Sequence, residues 1–176
     1  KRGKAPGPDG VPPDLFLDNL DLWAPLLTMV LNASAKTSPL PTWSQEVIVP
    51  IYKKGDRSCP SNYRLISLLD STIKILGRIL LHRVEIWATA NNVLCNLQYG
   101  FKPGIGTQEQ CLNRNLLVGT YTYVKQSPVY LAFMDLSAAF DCVSHNKLWI
   151  IMLDLGVDEA IVVFLRQIYS EASGVV

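Results

Sequence analysis

The sequence predicts an α+β fold, helix-rich with a few short strands. Three observations carry that expectation. Apolar residues recur at helical spacing in several long stretches. Three short runs, at 47–52, 63–69 and 129–136, have the apolar, β-branched character of strands. Helices and strands intermix without a regular βαβ alternation. The 176 residues allow one domain comfortably, or two small ones. Apolar residues make up 49% and charged residues only 18%, which excludes a disordered tail, a coiled coil and a collagen-like repeat. The longest apolar run, residues 22–31, is about half of the roughly 20 residues a membrane span needs.

The elements follow in order. Residues 1–12 are rich in Gly, Pro and Lys, and Pro6–Gly10 is a run of turn-formers. No apolar stretch follows them as in a signal peptide. There is no initiator Met, so an excerpt from a longer protein is expected. Lys1, Arg2 and Lys4 beside that turn read equally as phosphate contacts or as an exposed flexible end. Leu15, Leu17, Leu20, Trp23, Leu26, Leu27, Val30 and Leu31 predict a helix over 14–34 that Pro25 kinks or splits. Residues 37–44 read as a loop. The strand at 47–52 carries Pro50, which places it at an edge or a bulge. A basic turn leads from it into 63–69, antiparallel to it.

Ile73, Leu76, Leu80, Val84 and Trp87 form one face of a helix over 71–88. Residues 98–106 form a glycine-punctuated loop. Thr107 and Gln110 read as a capping box opening a helix to about Lys125. Residues 129–136 read as a strand buried on both faces. Two more helices, 145–155 and 158–171, flank Gly156 as a C-terminal cap.

Net charge is +1, but it is unevenly spread: the window 52–83 holds seven Lys and Arg against two Asp. A basic patch of this kind is either a solvated face or a polyanion contact. Cys59, Cys95, Cys111 and Cys142 form no CxxC, and His82 and His145 make no spaced set with them. They read as ordinary buried or half-buried thiols in a reducing compartment, not as a zinc site. The four tryptophans read as core more than as stacking platforms. Tyr63 beside Arg64 is a better stacking candidate. Gly104 and Gly106 ahead of a helix offer only a weak phosphate-site signal.

The informative feature is Asp135 at the end of its apolar run. A lone ionised carboxylate is costly to bury unless it is paired, hydrogen-bonded or metal-bound. Alternation puts Val129, Leu131, Phe133 and Asp135 on one face, so the carboxylate is expected at the exposed end of an anchored strand, as a rigid ligand. The competing local reading is a helix cap by Asp135 or Ser137.

Five motifs then follow in order: KAPGPDGVPPDLF (4–16), VIVPIYKKGD (47–56), NYRLISLL (62–69), QYGFKPGIGT (98–107) and VYLAFMDLSAAFDCVSH (129–145). Together they resemble the front half of a reverse transcriptase from a non-long-terminal-repeat (LINE-type) retrotransposon. The resemblance covers nearly the whole chain. It implies a partial right-hand polymerase fold, with residues 1–125 as the fingers region and its N-terminal extension, and 126–176 as the proximal palm. It implies addition of a deoxynucleotide to a DNA primer on an RNA template, with deoxynucleoside triphosphates as substrates and Mg²⁺ as cofactor.

Asp135 matches the first catalytic, metal-binding aspartate, and the Leu136 backbone carbonyl faces the same metal. Phe140 matches the gate residue under the sugar. Asp141 shares its Ala-Phe-Asp signature but is not read as a metal ligand. Arg64 and Lys53 or Lys54 match fingers residues that contact the triphosphate, and Gln98, Gly100 and Phe101 a loop near template and nucleotide. Phosphoryl transfer needs such cations, and Mg²⁺ takes carboxylate oxygens.

Leu65 stands where the family usually has Pro, and Ile105 where a polar or basic residue is common. The family's later Asp-Asp motif has no counterpart in this sequence. A two-metal site needs more carboxylates than Asp135, so the expectation is a fragment inactive alone, with a protein partner covering its incomplete palm and no membrane. The alternative is a decayed or co-opted remnant that binds RNA or a protein. Localisation is expected to be intracellular, in nucleus or cytoplasm.

Overall fold

A computed structural model describes residues 2–175. The elements are helices α1 (Pro13–Asp18) and α2 (Leu20–Lys36), strands β1 (Gln45–Tyr52) and β2 (Tyr63–Leu68), helices α3 (Ser71–Ala90), α4 (Thr107–Gly119), α5 (His145–Asp154) and α6 (Glu159–Ser170), and strand β3 (Ser173–Val175). The chain is helix-rich with one small sheet, compatible with an α+β fragment. It divides into two compact units, residues 1–86 with 148–176, and residues 87–147. No helix among the described residues is long and apolar enough to cross a membrane.

In the first unit the sheet order is β2-β1-β3. β1 pairs antiparallel with β2, Tyr52 opposite Tyr63 and Pro50 opposite Leu65. β3 pairs parallel with residues 45–47 only. The Lys53 N–H donates to the Asn62 carbonyl at 2.8 Å, continuing the ladder. Antiparallel bonding alternates residue by residue, so Pro50, three positions back, turns its donor-less nitrogen away from β2. β3 does not reach it there, and the ladder loses nothing.

The core gathers Trp43, Ile73, Leu76 and Ile168, with Leu31, Leu69, Leu80 and Phe164 packed against it. Trp43, 2% exposed, donates from Nε1 to Thr72 Oγ1 at 3.0 Å. Next to it the Ser44 hydroxyl donates to the Ile168 carbonyl at 3.2 Å. The 3₁₀ turn Pro41–Ser44 is thereby fixed to both α3 and α6. Trp149 is also buried, and Trp23 and Trp87 are half-buried.

The helix expected to be kinked or split at Pro25 is not split there: α2 runs through it. The break is at Asn19 (φ −139°, ψ 56°), between α1 and α2. α5 ends as expected: Gly156 takes φ +91°, Gly156 N–H bonds Leu153 O, and Val157 N–H bonds Met152 O. That bonding satisfies the last carbonyls, and the Asp158 carboxylate then accepts from Ala160 N–H at 2.8 Å to open α6.

The N-terminal turn is not a loose end. Gly10 N–H bonds Gly7 O at 3.1 Å, and Asp9 N–H donates to the Asp70 carboxylate at 3.0 Å. A Cβ on Gly7 would lie 2.4 Å from the Asp70 nitrogen. Arg2 is ion-paired with Asp18. Lys1 lies outside the described residues.

In the second unit the end of α3 is capped by Asn92 in the left-handed region (φ +52°). α4 passes into a π turn at Thr120–Val124. The capping box expected at Thr107 is displaced by one residue. Gly106 is the N-cap, and Glu109, not Gln110, takes the Gly106 N–H at 2.8 Å. That carboxylate occupies the position an anion would need, so the glycines ahead of α4 gain no support as a phosphate site.

The largest correction is at 129–136, which is not a strand and is not buried. Tyr130 is 90% and Met134 94% exposed. A β-run holds strand geometry when a neighbouring ladder takes its N–H and C=O groups. Among the described residues no strand pairs with this one. The cysteines are a second correction: all four are exposed. They sit on turns, or on the outer face of α4, where no core reaches them.

Candidate polymerase site

The first unit positions the basic residues. β1 and β2 are joined by a loop that is tied to itself. The Asp56 carboxylate accepts from Ser58 N–H at 2.9 Å, the Asn62 amide donates to Asp56 O at 2.8 Å, and the Tyr63 hydroxyl donates to Arg57 O at 2.9 Å. The Ser58 bonds hold the Asp56 carboxyl below its usual range. The bond with the Ser61 hydroxyl likewise lowers the Cys59 thiol. Tyr52 and Tyr63 meet edge to face at 5.6 Å, and Arg57 lies over the Tyr52 ring at 5.2 Å. Tyr63 thus packs within the strand pair.

Lys53, Lys54 and Arg64 are all exposed. Arg64 is opposite Ile51 in the ladder, and Ile51 and Lys53 are two apart, so Lys53 and Arg64 share one face. Two cations thus lie on one face of a hairpin tied down by its own loop.

In the second unit the loop over 98–101 meets Phe140. Phe101 and Phe140, far apart in sequence, meet edge to face with ring centres 6.1 Å apart. Gln98 donates to the Gly100 carbonyl at 3.1 Å. Asn113 of α4 bonds the Tyr99 hydroxyl, tying the loop to α4. Phe101 has φ +63°, and Ala138, two residues before Phe140, φ +48°. An aromatic residue held in this region is strained, which is common at functional sites.

Asp135 and Leu136 are exposed in the irregular segment just before this contact. Neither the expected apolar anchor nor a helix-cap bond at Asp135 is present. Among the described residues no group of three His, Cys, Asp or Glu could hold a metal. One carboxylate and one carbonyl do not complete the near-octahedral shell of Mg²⁺. These residues therefore form no metal site by themselves. What the sequence missed is pairing between segments: the Phe101–Phe140 contact and the ladder face shared by Lys53 and Arg64. The second was open to period-two counting once the hairpin register was known.

Comparison with known proteins bears on this arrangement directly. Residues 51–175 match the family model described as reverse transcriptase (RNA-dependent DNA polymerase). The chain belongs to the reverse transcriptase family. It is 32% identical over 150 residues to the "Probable RNA-directed DNA polymerase from transposon BS" of Drosophila melanogaster, a match covering 82% of this chain and 16% of that protein. It is 30% identical over 153 residues to the RNA-directed DNA polymerase from mobile element jockey of the same fly, again 82% and 16%. It is 33% identical over 120 residues to the Pol polyprotein from the type-1 retrotransposable element R2 of Popillia japonica, 66% of this chain and 16% of that one. The resemblance to non-long-terminal-repeat retrotransposon polymerases is thus borne out, and the remnant reading gains nothing. The chain spans about one-sixth of the length of these curated relatives. The family works with divalent metal ions, an RNA template and nucleotides in general.

Proposed function

We propose that residues 1–125 serve as fingers with an N-terminal extension, and 126–176 as proximal palm, in a right-hand RNA-directed DNA polymerase. One observation carries the reading: every site residue, from Lys53 to Phe140, falls inside the matched stretch 51–175. Lys53, Lys54 and Arg64 neutralise the incoming triphosphate, where charge builds up during phosphoryl transfer. Gln98, Gly100 and Phe101 line the template and nucleotide. Phe140 packs under the deoxyribose, and Phe101 holds the Phe140 ring from its edge. Asp135 and the Leu136 carbonyl supply part of a Mg²⁺ shell whose other ligands come from other residues. Bound cations would act as Lewis acids on the reacting phosphate.

The test is a chimera. Residues 51–175 replace the matching stretch of the jockey polymerase, and primer extension on RNA is measured with Mg²⁺. The chimera is expected to extend primers, and Asp135→Ala to lower the rate by on the order of 10³ or more. The 176-residue chain alone is expected to give no product. Lys53→Ala with Arg64→Ala is expected to weaken nucleotide binding and flatten its salt dependence, because phosphate contacts release counterions. Full activity of the Asp135→Ala chimera would remove Asp135 from the chemistry.

A further inference from the structure

The first unit holds a cavity of about 530 Å³ between α1–α2 and α3, which the polymerase reading does not use. Its walls are apolar, among them Phe16, Leu20, Trp23, Leu27, Ile75 and Ile79. Three polar groups of α3 also line it: Ser71, Lys74 and Arg78. Ser71 is 4% exposed, and its hydroxyl oxygen, shut off from solvent, has no hydrogen-bond partner. Lys74 and Arg78 are one helical turn apart and exposed. Neither forms an ion pair among the described residues. The Asp70 carboxyl feels the charge of Lys74, but its hydrogen bond comes from Asp9 N–H.

An apolar cavity of this size with a few convergent polar groups has the make-up of a small-molecule site. The apolar walls reward burial of a hydrocarbon or aryl body. Two cations and a spare hydroxyl donor on one helix reward an oxyanion at the end of that body. We propose that this cavity binds a small anionic amphiphile, an apolar body carrying a carboxylate or phosphate head, with the head held by Lys74, Arg78 and Ser71. The site lies wholly within the first unit and shares no lining residue with those assigned to the nucleotide.

Calorimetric titration of the purified chain tests this, with decanoate, decyl phosphate, decanol and inorganic phosphate as probes below their micelle concentrations. Decanoate and decyl phosphate are expected to bind one per chain. Decanol should bind about tenfold more weakly, because it lacks the charge-assisted bonds. Inorganic phosphate, lacking the apolar body, should show no saturable binding. The tighter of the two anions identifies the head group. Lys74→Gln with Arg78→Gln should weaken decanoate about tenfold and leave decanol unchanged. Both side chains are exposed, and an unaltered circular dichroism melt would confirm that the variant folds. Equal affinity for decanoate and decanol would overturn the proposal, as would a double variant that binds decanoate normally. So would a dimer in sedimentation that Leu20→Glu disperses, since a second copy would then fill the groove.

Discussion

Residues 1–86 with 148–176 close a core around Trp43, while of residues 87–147 only Ala88 is buried. The first unit pairs its strands in one sheet. The second exposes Phe101, Tyr130, Met134 and Phe140 to solvent and still holds Phe101 against Phe140. The residues that would do chemistry are thus divided by kind. Cations sit on a hairpin of a packed unit, and Asp135 and Phe140 sit on backbone with little packing of its own. Low burial and few fixed contacts mark the regions of a protein that open most easily. The second unit is therefore expected to gain order from whatever surface covers its apolar residues.

The sharpest way to break this contrast is to remove one large side chain from each unit. Trp43→Ala deletes the most buried ring and the bond to Thr72, and should cost about 3–5 kcal/mol. Met134→Ala, at an exposed position, should stay within about 0.5 kcal/mol. Thermal melts of both variants measure the difference. A similar loss in both would mean that the segment around Met134 is packed in solution and that the contrast is false.

The elements of the first unit were legible because their patterns are local. The stripe from Ile73 to Trp87 and the Gly156 cap report directly on α3 and α5. The hairpin from 47 to 69 was legible for the same reason: short β-runs on either side of a turn. The segment 129–136 was misread because its composition describes a strand that is sandwiched, and composition does not say whether the flanking strands are there. Asp135 stood out at the end of its apolar run and took its role from the motif, while nothing beside it in the second unit fixes it. The Phe101–Phe140 contact depends on distant segments meeting, which no local pattern encodes. The role of PGPDG was hidden for the same reason. Its turn was evident, but its seat on Leu69 and Asp70 was not.

That seat gives the second test of how the first unit is closed. Gly7→Ala places a methyl 2.4 Å from the Asp70 backbone nitrogen. Backbone at the head of α3 yields less readily than a side-chain tip. The expected cost is about 1–3 kcal/mol, read as a lower melting midpoint. Gly10→Ala is a useful control, because nothing lies near its Cβ position even though its φ of +68° strains any alanine there. If Gly7→Ala is no worse than Gly10→Ala, the N-terminal turn is not docked.

The smallest expected effect has the opposite sign. Asp70 is 2% exposed, and burial pushes its carboxyl above the usual range. The Asp9 N–H bond pulls it down, while the Asp9 charge pushes it up again. The folded state therefore holds the Asp70 proton more tightly than the unfolded chain does. Between the two pKa values the native state carries more protons, so stability falls as pH rises through that window and recovers on acidification. Asp70→Asn keeps a carbonyl oxygen to accept from Asp9 N–H and removes the buried charge. It should raise the melting midpoint at neutral pH by a few degrees at most, and the gain should vanish in acid, where Asp70 is already protonated. The second unit has no buried carboxylate of this kind. Asp135→Asn, at an exposed position, should therefore shift the melting midpoint by less than Asp70→Asn does at neutral pH. A larger shift from Asp135→Asn than from Asp70→Asn would mean that this carboxylate has a partner in solution.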